Sequence, residues 1–141
     1  MSESRKQELL KLFNEIAPIA KLFGMTLSYD KDSAVLDLPY NPNLDHALGG
    51  VHGGIYATML DNAGWFTAAA AVKDSVWVAT TELSIHFLKP VAVSSLKAVG
   101  KIINEGKRQF VAEMHLYDGN NQLVGHGTGT FLIVPELSTK V

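Results

Sequence analysis

The chain has 141 residues, of which 47% are hydrophobic and 18% charged, with a formal net charge of -2 and no cysteine. That length suits one hydrophobic core spanning 1–141, and so little charge on so small a chain points to surface covered by a second subunit. Disulfides, thiol nucleophiles and thiolate metal sites are excluded, and no positive field is available to gather nucleic acid.

The N-terminus is polar and has no apolar signal-peptide core, and no apolar run reaches the ~20 residues needed to cross a bilayer. The expectation is a cytoplasmic protein without a membrane partner. Residues 3–17 read as a helix, with Leu9, Leu10, Leu12, Phe13 and Ile16 on an apolar face and Arg5, Lys6, Glu8 and Lys11 on a wet one. Pro18 is expected to end it. Short strands follow near Met25 to Tyr29 and Ala34 to Leu38, and Pro39 to Gly50 reads as a loop.

Gly54 to Val72 reads as a second helix. It has a run of alanines, no period of two, and Asp61 as its one charge before Val72. A helix so apolar must be largely buried, and Gly64 with the alanines lets other backbone come close. Beyond it the period becomes two. Strands are expected at Thr81 to Leu88, around Leu96 to Ile102, at Phe110 to Leu116 and from Leu123 to Val134, paired in succession as an antiparallel meander. A buried helix with an antiparallel sheet wrapped around it is an α+β layer fold.

The chemistry concentrates where the loop becomes the buried helix, at Gly49-Gly50-Val51-His52-Gly53-Gly54. A helix start offers unpaired N–H groups at the positive end of its dipole, and glycines let an oxygen approach them. Such a place suits a developing oxyanion, although a glycine-rich turn before a tightly packed helix has the same composition. Asp61 follows His52 by nine residues. A carboxylate among apolar residues is costly unless hydrogen bonded or functional, and burial makes it a better base; a dimer-contact Asp on a wet stripe is the other reading. His46, His52 and Asp61 do not match zinc spacing, so no metal is expected. No Gly-x-Ser-x-Gly elbow occurs.

Together these residues resemble the PaaI-type thioesterases of the hotdog superfamily, the phenylacetate-degradation group. The likeness rests on His52-Gly53-Gly54, on Asp61, on a hydroxyl at Thr80 or Thr81, and on Phe87-Leu88-Lys89-Pro90. Gly106-Lys107-Arg108, Asp118 and the terminal strand Gly125 to Val134 also fit. The resemblance implies a hotdog fold: a long central helix wrapped by a curved antiparallel sheet. It also implies dimers joined edge to edge, often paired into homotetramers, with active sites at the subunit interface. The implied reaction is hydrolysis of an acyl-CoA to a carboxylic acid and CoA, with no bound cofactor.

By that likeness the Gly53 N–H polarises the thioester carbonyl, and Asp61 from the partner subunit activates water or attacks directly. Thr80 positions the water, and His52 shapes the oxyanion region. Gly54, Asn43 and Thr81 join the substrate-binding set, with Lys89, Lys107 and Arg108 as candidate contacts for the CoA phosphates. Relatives carry Asn where this chain has His46, six residues before His52. An imidazole can replace the amide as a donor. The alternatives are a non-catalytic acyl-CoA-binding protein and a hotdog hydratase or dehydratase.

Overall fold

Ser2 starts the first helix, its hydroxyl accepting the Arg5 N–H at 3.1 Å. A computed structural model describes residues 1–141. Helix α1 spans Glu3–Lys11 and runs into a π-helical turn, Leu12–Ile16. Pro18 ends that run and also begins α2 (Pro18–Phe23), its fixed φ suiting the first helical position. Gly24, at φ 81, closes α2 in the left-handed conformation that a side chain would oppose.

Two residues assigned to faces of the first helix lie elsewhere. Arg5 is only 4% exposed, because the Ala69 and Val76 carbonyls, distant in sequence, take up its guanidinium N–H groups. Ile16 is 46% exposed, because the π turn rotates it out of the face that buries Leu9 and Phe13.

Strands β1 (Thr26–Asp30) and β2 (Ser33–Leu38) form a hairpin. A loop with one 3-10 turn, Pro42–Leu44, leads to α3, Gly53–Ala71. Strands β3 (Val76–Phe87), β4 (Leu96–Glu105), β5 (Gln109–Asp118) and β6 (Leu123–Ser138) complete a six-stranded antiparallel sheet of order β1-β2-β4-β5-β6-β3. The expected meander holds for β4, β5 and β6 but not for β3. That strand pairs with β6, and β4 pairs with β2. The segment from Leu88 to Ser95 is therefore a crossover. It leaves β3 with the Leu88 and Lys89 N–H groups on the Val124 carbonyl, then carries the chain past the ends of β6 and β5. Alternating apolar residues mark a strand but carry no information about its neighbour.

Helix α3 packs against β2, β3, β4, β5 and β6, and Met59, Leu60, Ala63, Ala68 and Ala69 are fully buried. The absence of a side chain at Gly64 matters here. A Cβ would stand 2.7 Å from both Met114 Sδ and the Phe131 ring. Strand β3 is an edge. A bulge at its centre, between Thr80 and Glu82, keeps Thr80 on the helix side, opposite buried Phe131.

Candidate active site

The start of α3 is pinned from two sides. The His52 N–H bonds the Leu44 carbonyl at 3.0 Å, and the Val51 N–H bonds the Val91 carbonyl of the crossover at 2.8 Å. His52 caps the helix: its Nδ1 accepts the Gly54 N–H at 2.9 Å, so the neutral ring carries its proton on Nε2. Gly54 therefore has its N–H engaged. The Gly53 N–H has no acceptor within the chain, at the positive end of a nineteen-residue helix. The Phe87 ring lies against Gly53, 3.4 Å from where a Cβ would be.

His46 stands beside it. Its Nδ1 accepts the Leu48 N–H at 3.1 Å, which leaves Nε2–H as the outward donor of the neutral ring. The imidazole covers Gly50, where a Cβ would be 2.8 Å from Nε2. His46, Gly53, Tyr56, Phe87 and Lys89 line one small cavity of about 270 Å³. The Tyr56 hydroxyl donates to the Lys89 carbonyl at 2.7 Å and so ties the crossover to the helix. Next to His46, Asp45 accepts the Tyr40 hydroxyl on Oδ2 at 2.8 Å, while its Oδ1 is buried without a partner.

Asp61 belongs to a different neighbourhood. Its Oδ1 accepts the Thr80 hydroxyl at 2.8 Å across the gap between α3 and β3. Burial pushes its carboxyl above the ordinary value, and the Thr80 hydrogen bond pulls part of the way back. Both residues lie on the wall of an apolar groove of about 630 Å³ between α3, the first residues of β3 and the N-terminal helical segment.

The remaining residues singled out in the sequence are dispersed. Thr81, in the bulge, turns its hydroxyl to the Thr130 carbonyl at 3.3 Å. Asn43 is exposed in the 3-10 turn, its N–H on Asn41 Oδ1. Lys107 and Arg108 are exposed in the β4–β5 turn, at the opposite end of the sheet from Lys89. The sequence reading missed Tyr56, Trp77 and the groove wall formed by the N-terminal segment. Tyr56 and Trp77 read only as core or strand residues, since nothing in their spacing places them near Gly53 or Asp61. The grouping able to offer three metal ligands is Glu113, His115 and His126, whose donor atoms lie within 4.8 Å of one another on the outer face of the sheet. It is remote from the groove and from Gly53.

A long helix packed on a curled antiparallel sheet, with a glycine start and a mid-helix carboxylate, defines an α+β hotdog protein. The chain belongs to the thioesterase superfamily, whose family model matches residues 48–124. It is similar to a predicted esterase of Saccharolobus solfataricus, 33% identical over 146 residues that cover 99% of this chain and 91% of the relative. Among solved structures it resembles a thioesterase family protein from Silicibacter pomeroyi. That match has a TM-score of 0.85 at 23% identity over 91% of this chain and 96% of the other. The PaaI protein from the phenylacetic acid degradation operon of E. coli matches with a TM-score of 0.78 at 19% identity, over 92% and 96%. These two structures establish the fold. The family relation supports a hydrolase activity of the thioesterase or esterase type. No helix is long and apolar enough to cross a membrane.

Proposed function

We propose that the protein hydrolyses acyl-CoA thioesters to a carboxylic acid and free CoA, in a site shared by two copies of the chain. The supporting observation is that one helix carries two complementary half-sites that do not meet. The open Gly53 N–H lies at its start, and the desolvated Asp61 with Thr80 lies eight residues on, roughly 12 Å along the axis. Hydrolysis needs the oxyanion donor and the activated water within about 3 Å of one carbonyl group. A second copy resolves the mismatch. Strand β3 is a free edge of twelve residues beside Thr80 at one point and Phe87 at its end. Antiparallel pairing of two such edges would bring Asp61 of the partner subunit toward Gly53. The same pairing would carry Lys107 and Arg108 of the partner subunit toward Lys89, making one basic rim for the CoA phosphates. Leu48, 93% exposed at the tip of the His46 turn, supplies an apolar contact that a single chain leaves unused.

In this reading Asp61, aided by Thr80, takes a proton from water as the water oxygen bonds to the carbonyl carbon. The carbonyl electron pair moves to oxygen, where the Gly53 N–H and the helix dipole stabilise it. The His46 Nε2–H is a second donor, and His52 holds the helix start rigid. Collapse of the tetrahedral intermediate breaks the C–S bond, and the departing thiolate recovers the proton. The test is thiol release across short, medium, long and aromatic acyl-CoAs, with the acid identified as co-product. Binding without thiol release across the series would instead make the protein an acyl-CoA carrier. A hydrated or dehydrated acyl-CoA with no thiol released would make it a hydratase.

A further inference from the structure

We propose that Glu113, His115 and His126, on the outer face of the sheet, form a binding site for a divalent transition-metal ion of the zinc class. The proposal is independent of the hydrolase reading above, because the cluster lies away from Gly53 and from the groove beside Asp61.

Pleat and register build the cluster. Met114 and Leu116 of β5 are fully buried, so Glu113, His115 and Tyr117, which alternate with them, face outward. On β6, Gly125 and Gly127 face the core. A Cβ at Gly125 would meet Leu116 and Tyr56, and one at Gly127 would come within 3.6 Å of Met114. His126 between them is thereby turned outward. The ladder pairs His115 directly with His126 and sets Glu113 diagonally beside it. Both strands are interior, flanked by β4 and β3, so the backbone beneath the cluster is held from both sides.

The donor atoms already converge. His126 Nε2 and a Glu113 carboxylate oxygen stand 3.1 Å apart. That is close to the roughly 3.3 Å between neighbouring ligand atoms around a tetrahedral ion. An ion would take the place of the proton that bridges them. The donor atoms of all three residues lie within 4.8 Å of one another, so a turn of the His115 ring closes the set. That ring sits edge-to-face on His126 at a centroid distance of 5.0 Å and stacks with Tyr117 at 6.2 Å. A surface ion pair needs Glu113 and His126 alone, whereas the second imidazole supplies what a metal requires. Two imidazoles and a carboxylate suit zinc and its transition-metal neighbours, while calcium and magnesium favour oxygen ligands. Three protein ligands leave the fourth position of a tetrahedral ion to water. Lys101, opposite Glu113 in the β4 register, is exposed and can turn its ammonium to solvent. His86 flanks His126 on the β3 side, its ring 6.2 Å away, and stands outside the converging set. A bound ion would staple the β5–β6 hairpin and stabilise the folded chain by mass action.

The experiment uses the untagged protein, stripped with a chelator and titrated with Zn²⁺ against a chromophoric competitor. A parallel titration with Co²⁺ reads the coordination geometry from its visible absorption. Wild type should bind one ion per chain with a tetrahedral cobalt spectrum, and Zn²⁺ should raise its Tm. His115→Ala and His126→Ala, at half-exposed positions, should each weaken Zn²⁺ binding by roughly tenfold or more and abolish the shift in Tm. Glu113→Gln should weaken it less, because the amide oxygen keeps a donor without the charge. His86→Ala should leave the affinity within about threefold of wild type and the cobalt spectrum unchanged. Zinc affinity in either alanine variant within twofold of wild type would overturn the site, since binding would then come from scattered surface groups. Wild-type protein that gives no tetrahedral cobalt spectrum and no shift in Tm would overturn it as well. A loss in His86→Ala as large as theirs would overturn the ligand set.

Discussion

Desolvation and one hydrogen bond oppose each other at Asp61, and their balance sets its pKa. Burial raises its pKa and the Thr80 hydroxyl lowers it, so Thr80→Val leaves burial unopposed and raises it further. With Asp61 as the proposed base, which must be ionised to act, the acid limb of the kcat/KM profile should move to higher pH in that variant; an unmoved limb would separate Thr80 from the titration. Asp61→Asn should lower kcat by about 10²–10⁴-fold. The same substitution should not destabilise the fold. An acid whose folded pKa is raised contributes stability below its unfolded pKa and loses it as pH rises through the folded pKa. At neutral pH the asparagine variant should therefore melt at or above the wild-type Tm, with the advantage fading in acid. His46 tests the second donor. His46→Ala should lower kcat by up to about two orders of magnitude with a smaller change in KM, and His46→Asn should restore part of the loss. A kcat within twofold of wild type in the alanine variant would make His46 a bystander.

At the scale of elements, Arg5 fastens the N-terminal segment to the rest. Its guanidinium donates to the Ala69 carbonyl at the end of α3, to the Val76 carbonyl at the start of β3, to the Thr139 hydroxyl after β6, and to Glu8. Removing one partner of such a buried set strands the others, at about 3–5 kcal/mol. Arg5→Met should lower Tm by roughly 10 °C or more, read by calorimetry. Burial raises the Glu8 carboxyl, but bonds from Thr139 and Arg5 outweigh it and hold the pKa below the ordinary value. Its contribution is present above the unfolded pKa and lost as pH falls through the folded one. The methionine variant should accordingly show a shallower loss of stability in acid. The same anchoring bears on the groove, because α1 carries the wall that holds Ile16 and Ile19.

For the whole molecule, the proposed shared site predicts that assembly is a condition of activity. Light scattering and thiol release followed over one dilution series should fall together. A monomer with full specific activity would defeat the shared site. With the proposed β3 edge contact as the dimer seam, further pairing into tetramers should leave the activity unaltered.

The glycine start of α3, its apolar course and the lone carboxylate were legible in the sequence because each is a local property: backbone freedom, helix propensity and hydropathy act within a few residues. The period-two strands were legible for the same reason, although the one expected from Thr81 begins at Val76. Tertiary structure decided what depends on distant partners. It put β3 beside β6, since an alternating strand pairs equally well with any neighbour of matching pleat. It buried Arg5, whose two carbonyl acceptors lie more than sixty residues away in sequence. It spent the Gly54 N–H on His52 and left the Gly53 N–H open, a distinction of about one hydrogen bond that composition does not encode. It also drew the N-terminal segment alongside Asp61 to make a groove, because a concave surface belongs to the packing of several elements and to none of them singly.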